Sequence, residues 1–152
     1  DEVEYSEGIY VGYRHYDTKN VAPLFPFGHG LSYTKFEYSN FNCPIEVSSL
    51  KNVELKFIIK NVGKTQGQEV VQCYVRDVES RLERPIKELK AFYKLNLLPG
   101  ESKIVNLSLD KTSFSFFDDQ INKWIVEPGK FEIMIGSSSK DIRLKQIINF
   151  IN

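Results

Sequence analysis

From Phe36 onward, hydrophobic and polar positions alternate with a period of two. In "VELKFIIKN" (53–61), Val53, Leu55, Phe57 and Ile59 share one face, while Glu54, Lys56 and Lys60 share the other. That is the pattern of a strand half buried in an antiparallel sheet, and a helix would scatter those apolar side chains around its circumference. The same reading predicts strands at "EVVQCYVRD" (69–77), "KELKAFYKLNL" (87–97), "KIVNLSL" (103–109), "SFSFFD" (113–118), "KWIVE" (123–127), "KFEIMIG" (130–136) and "DIRLKQIINFI" (141–151). Glycine, proline and small polar residues punctuate them at "NVGKTQGQ" (61–68), "RLERP" (81–85), "LPGES", "DDQIN", "PG" and "SSSK". About seven or more short strands with a turn signal every 8–12 residues or so predict an all-β fold, an immunoglobulin- or fibronectin type III-like sandwich. Its predicted core is Val53, Leu55, Phe57, Ile59, Val71, Cys73, Val75, Leu95, Leu97, Val105, Leu107, Leu109, Trp124, Phe131, Ile133 and Ile135. Trp124 is placed there because a lone tryptophan on a strand is far more often a packing anchor than a sugar-stacking platform.

Residues 1–35 break the pattern. They contain one strand-like run, "GIYVGYRHY" (8–16), with no partner of its own to bury it. A junction, "PLFPFGHGLSYTKFEY" (23–38), follows. Gly28 and Gly30 permit tight or left-handed backbone and the prolines fix the approach, while Phe25, Phe27, Leu31 and Tyr33 can seat the crossing against structure on both sides. Arg14 and Asp17, in "YRHYD", are expected to pair and pin the first segment. A flexible tether would carry neither the aromatics nor the prolines, so the junction reads as a stiff coupling. The predicted organisation is therefore 1–35, the end of a different domain and the junction, and 36–152, the β-sandwich.

The 152 residues suit one domain, or one domain plus an appendage. Lys+Arg 20 balances Asp+Glu 20, which leaves no net field to recruit nucleic acid or an anionic membrane. Apolar runs fall far short of the roughly 20 residues needed to cross a bilayer, and no basic, then apolar leader opens the chain. Because it begins at Asp1, the sequence is expected to be a processed product or a piece of something longer. Cys43 and Cys73 fit neither a close-spaced zinc site nor a disulfide framework, and are read as two small buried thiols rather than a bridge.

Candidate chemistry is sparse. Asp118 and Asp119 are adjacent, so in extended chain their side chains point to opposite faces, and they read as a solvated turn. Glu7 and Asp17 flank the first strand-like run and could meet only at a domain surface. His15 and His29 lack metal-site spacing, and two histidines cannot build a Ser-His-acid or Cys-His arrangement with any argued partner. "GSSSKD" (136–141) lacks the strand-to-helix context of a phosphate cradle and reads as a turn. "NLS" (106–108) satisfies a glycosylation pattern but lies inside a predicted strand. Phe114, Phe116 and Phe117 are the one dense aromatic run that a carbohydrate-binding surface could use, and alternation assigns some of them to the core.

The motifs "YSEGIYVGYRHYD" (5–17) and "PLFPFGHGLSYTKFEYSNF" (23–41) resemble the end of the α/β-sandwich domain of family 3 glycoside hydrolases, the β-glucosidase and β-xylosidase family. "NVGKTQGQEVVQCYV" (61–75), "RPIKELKAFYKLNLLPGES" (84–102) and "WIVEPGKFEIMIGSSSKDIRL" (124–144) resemble the fibronectin type III-like domain that ends many of them. The resemblance implies a parent enzyme that releases terminal β-linked sugars with retention and without a metal or other cofactor, in an extracellular, periplasmic or lysosomal setting. Retention needs two carboxyl groups about 5–5.5 Å apart. In the family these sit upstream of the segment matched here, so no residue of this chain is assigned as catalytic. The implied partners are the upstream catalytic domains of the same polypeptide and, through them, an oligo- or polysaccharide. The chain is then a structural or accessory module, with a loop such as 77–87 extending toward the substrate entrance, and lining the parent's sugar pocket is the alternative role for Arg14 and Asp17. A carbohydrate-binding module and an adhesion or assembly module are the alternatives.

Overall fold

A computed structural model describes residues 2–48 and 51–151. Among these residues ten strands follow one short α-helix, with a 3-10 turn at Lys111–Ser113: α1 (Tyr13–Thr18), β1 (Phe36–Asn42), β2 (Glu46–Ser48), β3 (Val53–Asn61), β4 (Gly67–Asp77), β5 (Glu88–Leu97), β6 (Ser102–Leu109), β7 (Phe116–Asp118), β8 (Lys123–Ile125), β9 (Gly129–Gly136) and β10 (Ile142–Ile151). They form a three-stranded sheet, β1-β3-β6, a five-stranded sheet, β2-β10-β9-β4-β5, and the separate hairpin β7-β8. All pairings are antiparallel except β2 with the end of β10. The fold is the β-sandwich expected from the alternation.

The core lies between the two larger sheets. On β3, Val53, Leu55, Phe57 and Ile59 are buried, and Val105, Leu107 and Leu109 of β6 stand opposite Phe57, Leu55 and Val53 in register. Val71, Cys73 and Val75 of β4 and Phe131, Ile133 and Ile135 of β9 supply the other face. Burying such a side chain stabilises by roughly 1.5–3 kcal/mol. One end is closed by three aromatic rings, Phe114, Phe131 and Phe150, with centroids 5.3–5.9 Å apart. Cys43 and Cys73 are both free thiols, and burial pushes Cys43 up to about 12.

Two expectations fail here. Trp124 is not in the core: it is 69% exposed, because β8 belongs to the hairpin and to neither large sheet. "GIYVGYRHY" is not a strand. Gly8 and Gly12 adopt left-handed φ values of 55° and 57°, which break an extended run, and α1 begins immediately after Gly12.

Candidate functional site

The outer face of the five-stranded sheet is where the module departs from simple alternation. Along β4, burial runs without a break from Val71 to Val75. Gln72 and Tyr74 point away from the core yet are 5% and 0% exposed. What covers them is the N-terminal segment. Tyr13 of α1 meets Tyr74 edge to face at 6.0 Å and stacks on Phe27 at 4.7 Å. Gly28, with φ 81°, lies so close over Gln72 that a Cβ would overlap its side-chain amide. That amide is already engaged, accepting from the Tyr74 hydroxyl and donating to the Ser137 carbonyl at 2.9 Å. The Ser139 N–H donates to the Phe27 carbonyl at 2.8 Å, tying the turn at 136–141 to the same crossing.

Charged groups hold the segment at its edges. Asp17 is buried under α1, 3.0 Å from Lys140 and 3.2 Å from Lys87. Arg14 reaches Glu88 at 3.1 Å. The Leu89 N–H donates to the Tyr13 hydroxyl at 2.7 Å, and the Ile86 N–H to Thr18 at 3.1 Å. Arg14 and Asp17 thus do not pair with each other, as the sequence reading supposed, because each finds an opposite charge on the sandwich.

At the other end, the chain enters β1 through Asn61, a wholly buried side chain with all four hydrogen-bonding positions filled. Its Oδ1 accepts from Thr34 Oγ1 at 2.5 Å and Gly63 N–H at 3.1 Å, and its Nδ2 donates to the Thr65 and Leu97 carbonyls at 2.8 and 3.0 Å. Thr65 Oγ1 also donates to the Tyr33 carbonyl at 2.8 Å. Buried amides satisfied in this way favour a single chain path.

Of the named junction residues, Arg14, Asp17, Phe27 and Gly28 meet the sandwich or its covering segment. Phe25 stacks on His29 at 5.4 Å and remains largely exposed, and Gly30 has open space around it. Leu31 and Tyr33 do not seat against the sandwich: they are 96% and 101% exposed. Sequence reading missed Tyr13, Thr34, Asn61, Gln72, Tyr74, Lys87 and Lys140. Only the unbroken "VVQCYV" run, too apolar for a one-sided strand, carried a readable signal.

Between the 28–36 crossing and the sheet lies an open groove of about 510 Å³, lined among others by Ser32, Glu69, Ser137, Asp141 and Arg143. It brings together a carboxyl pair that the sequence did not flag. Burial raises Glu69 above its ordinary value, while the Arg143 guanidinium holds Asp141 below its own. Both are engaged structurally. Tyr38 donates to Glu69 at 2.7 Å, Arg143 and Ser137 donate to Asp141 at 2.7 and 2.6 Å, and Arg143 lies 4.6 Å from the centre of the Tyr38 ring. The network joins β1 of one sheet to β4 and the start of β10 of the other.

The remaining candidates separate. Glu7 is exposed in a turn, whereas Asp17 is buried. His15 meets Tyr16 edge to face and His29 stacks on Phe25, and among the described residues no three His, Cys, Asp or Glu side chains gather as a metal would require. Asp118 is not in a solvated turn. It is 2% exposed and bonded to Arg81, which holds its carboxyl below the usual range, while Asp119 faces solvent. Phe114 and Phe116 are buried and only Phe117 is open, so no planar aromatic row exists in that run.

A two-sheet sandwich with a docked lead-in segment has the organisation of a fibronectin type III-like module, and residues 69–139 match the fibronectin type III-like domain family. Nearly all of the chain matches the C-terminal portion of family 3 glycoside hydrolases of the β-glucosidase type. It is 55% identical over 151 residues to thermostable β-glucosidase B of Acetivibrio thermocellus, covering 97% of this chain and 20% of that protein. With β-glucosidase BoGH3A of Bacteroides ovatus the identity is 48% over 144 residues, covering 92% and 19%. The solved GH3 β-glucosidase of Bifidobacterium adolescentis superposes with a TM-score of 0.92 at 34% identity, over 96% of this chain and 21% of that one. The chain spans about a fifth of the length of the relatives it matches.

Proposed function

We propose that the chain is a non-catalytic structural module of a larger family 3 β-glucosidase-type hydrolase, whose upstream domains carry the chemistry. The observation that carries this reading is the docked segment. Buried polar contacts, Asp17 with Lys87 and Lys140 and Thr34 with Asn61, and the packing of Gly28 on Gln72 fix the lead-in chain, and that chain still exposes Leu24, Phe25, Leu31 and Tyr33. Apolar side chains on an otherwise pinned segment fit a surface that another part of the polypeptide covers. Residues 1–35 would close the preceding α/β domain, with 36–152 as the sandwich. The parent reaction would be removal of a terminal β-linked sugar by a retaining mechanism, with an oligo- or polysaccharide as substrate.

A paired assay on a chromogenic aryl β-glucoside tests it. The chain alone is expected to be inert, and the upstream domains are expected to lose thermal stability or activity when it is removed. Turnover by the isolated chain would refute the reading and direct attention to Glu69 and Asp141. No effect of its removal would refute the structural role.

A further inference from the structure

The hairpin β7-β8 covers little of the module's own core. Phe116 points inward, whereas Phe117 and Trp124 stand in solvent at 44% and 69% exposure and meet edge to face at 5.7 Å, beside Ile121 at 53%. Yet the hairpin is held firmly. Arg81 bridges buried Asp118 and Glu127, 2.7 Å away. Arg84, itself 8% exposed, donates to the Phe114 and Ser115 carbonyls and lies 5.4 Å from the Phe116 ring. The same stretch, 77–88, carries the partners of the docked segment: Ile86 for Thr18, Lys87 for Asp17 and Glu88 for Arg14. It is a bracket with the hairpin on one side and the segment on the other.

We infer that the Phe117–Trp124 pair is a second docking contact for the upstream part of the same polypeptide. This rests on the structural-module reading above. Two observations select that occupant. The relatives are about five times longer than this chain, so most of the polypeptide is available to cover the pair. The pair is also continuous, through the bracket, with the segment whose exposed apolar side chains call for the same cover. Exposed tryptophan and phenylalanine on a rigid hairpin are what interface centres use, because their two side-chain torsions lose little freedom on contact. A saccharide is the competing occupant, and its binding is one readout of the test.

The test compares the full-length polypeptide with the 152-residue chain. Hydroxyl-radical footprinting is expected to modify Trp124 readily in the isolated chain and several-fold less in the full-length protein, whereas equal modification overturns the inference. Trp124→Ala and Phe117→Ser are expected to lower the Tm of the full-length protein and leave that of the isolated chain unchanged. Equal losses in both would mean that the pair serves the module's own fold and would overturn it. Unchanged Tm values with lost binding of a laminari-oligosaccharide would assign the pair to sugar instead. Leu24→Asp combined with Leu31→Asp separates the two readings. If that variant destabilises the full-length protein and Trp124→Ala does not, the hairpin contact fails and the module reading stands. If neither variant does, the module reading fails as well.

Discussion

Gly28→Ala isolates the clamp between the lead-in segment and the sheet. Gly28 holds φ at 81°, and the left-handed conformation costs an L-residue with a Cβ roughly 1–2 kcal/mol. The added methyl would also displace the Gln72 amide, whose two hydrogen bonds, from Tyr74 and to Ser137, are each worth about 0.5–1.5 kcal/mol. The sum centres on about 3.5 kcal/mol, and for a domain of this size that corresponds to a fall in Tm of about 7–14 °C. Gly30 is the internal control. It sits two residues away in the same motif with no atom within 4 Å of its added Cβ, so Gly30→Ala should change stability by no more than about 0.5 kcal/mol. Thermal and urea denaturation of the two variants against the parent chain provide the measurement. A Gly28→Ala protein melting within about 2 °C of the parent would refute the reasoning, since Gln72 would then have stepped aside at negligible cost. Equal destabilisation by both variants would refute it too, because the loss would belong to loop glycine in general and not to the clamp.

Asp17→Asn keeps the shape of the carboxylate but leaves Lys87 and Lys140 facing each other. It should cost about 3 kcal/mol, the low end for breaking a buried pair because Lys140 is partly exposed, and trypsin should cut after Arg14 and Lys19 faster than in the parent. Phe57→Ala empties a wholly buried position between the sheets and should cost about 3–5 kcal/mol by urea denaturation. Asp118 and Asp141 both titrate below the ordinary 3.8 in the folded chain. Their contribution is therefore complete above that value and is lost as pH falls through the lower folded values, so the chain should melt earlier at about pH 3 than at about pH 7. Arg81→Ala, which removes the partner of Asp118 but not that of Asp141, should reduce that difference without abolishing it.

The strands that face solvent on one side were readable because their chemistry reports both faces at once, and β3 is the clearest case. Strand β4 was readable only in part. Its inward set, Val71, Cys73 and Val75, follows the alternation, but burial of Gln72 and Tyr74 depends on Tyr13 and Gly28, some fifty residues earlier, and no local pattern carries that information. Trp124 misled for the opposite reason. Its hydrophobicity argues for the core, whereas its position is set by a hairpin that leaves both sheets. Helix α1 spans six residues, less than two turns, too few for a helical period to show against the aromatic content of "YVGYRHY". The candidate site was less legible than the fold because its polar members find partners across long sequence separations. Asp17 meets Lys140 and Tyr38 meets Glu69, and only the folded chain brings these pairs together.

The register of β10 has a consequence for biosynthesis. This strand is the last of the ten described, yet it lies between β9 on one side and β2 on the other, and it contributes Ile148 and Phe150 to the core. Until it leaves the ribosome, β9 has an open edge, β2 has no neighbour, and the Phe114–Phe131 corner lacks its third ring. The sandwich therefore closes only after its final strand is made, and nascent or prematurely terminated chains would present an unpaired edge and an open apolar corner. The exposed edge of β9 and the open corner at Phe114 and Phe131 would therefore persist in any product cut short before Ile142.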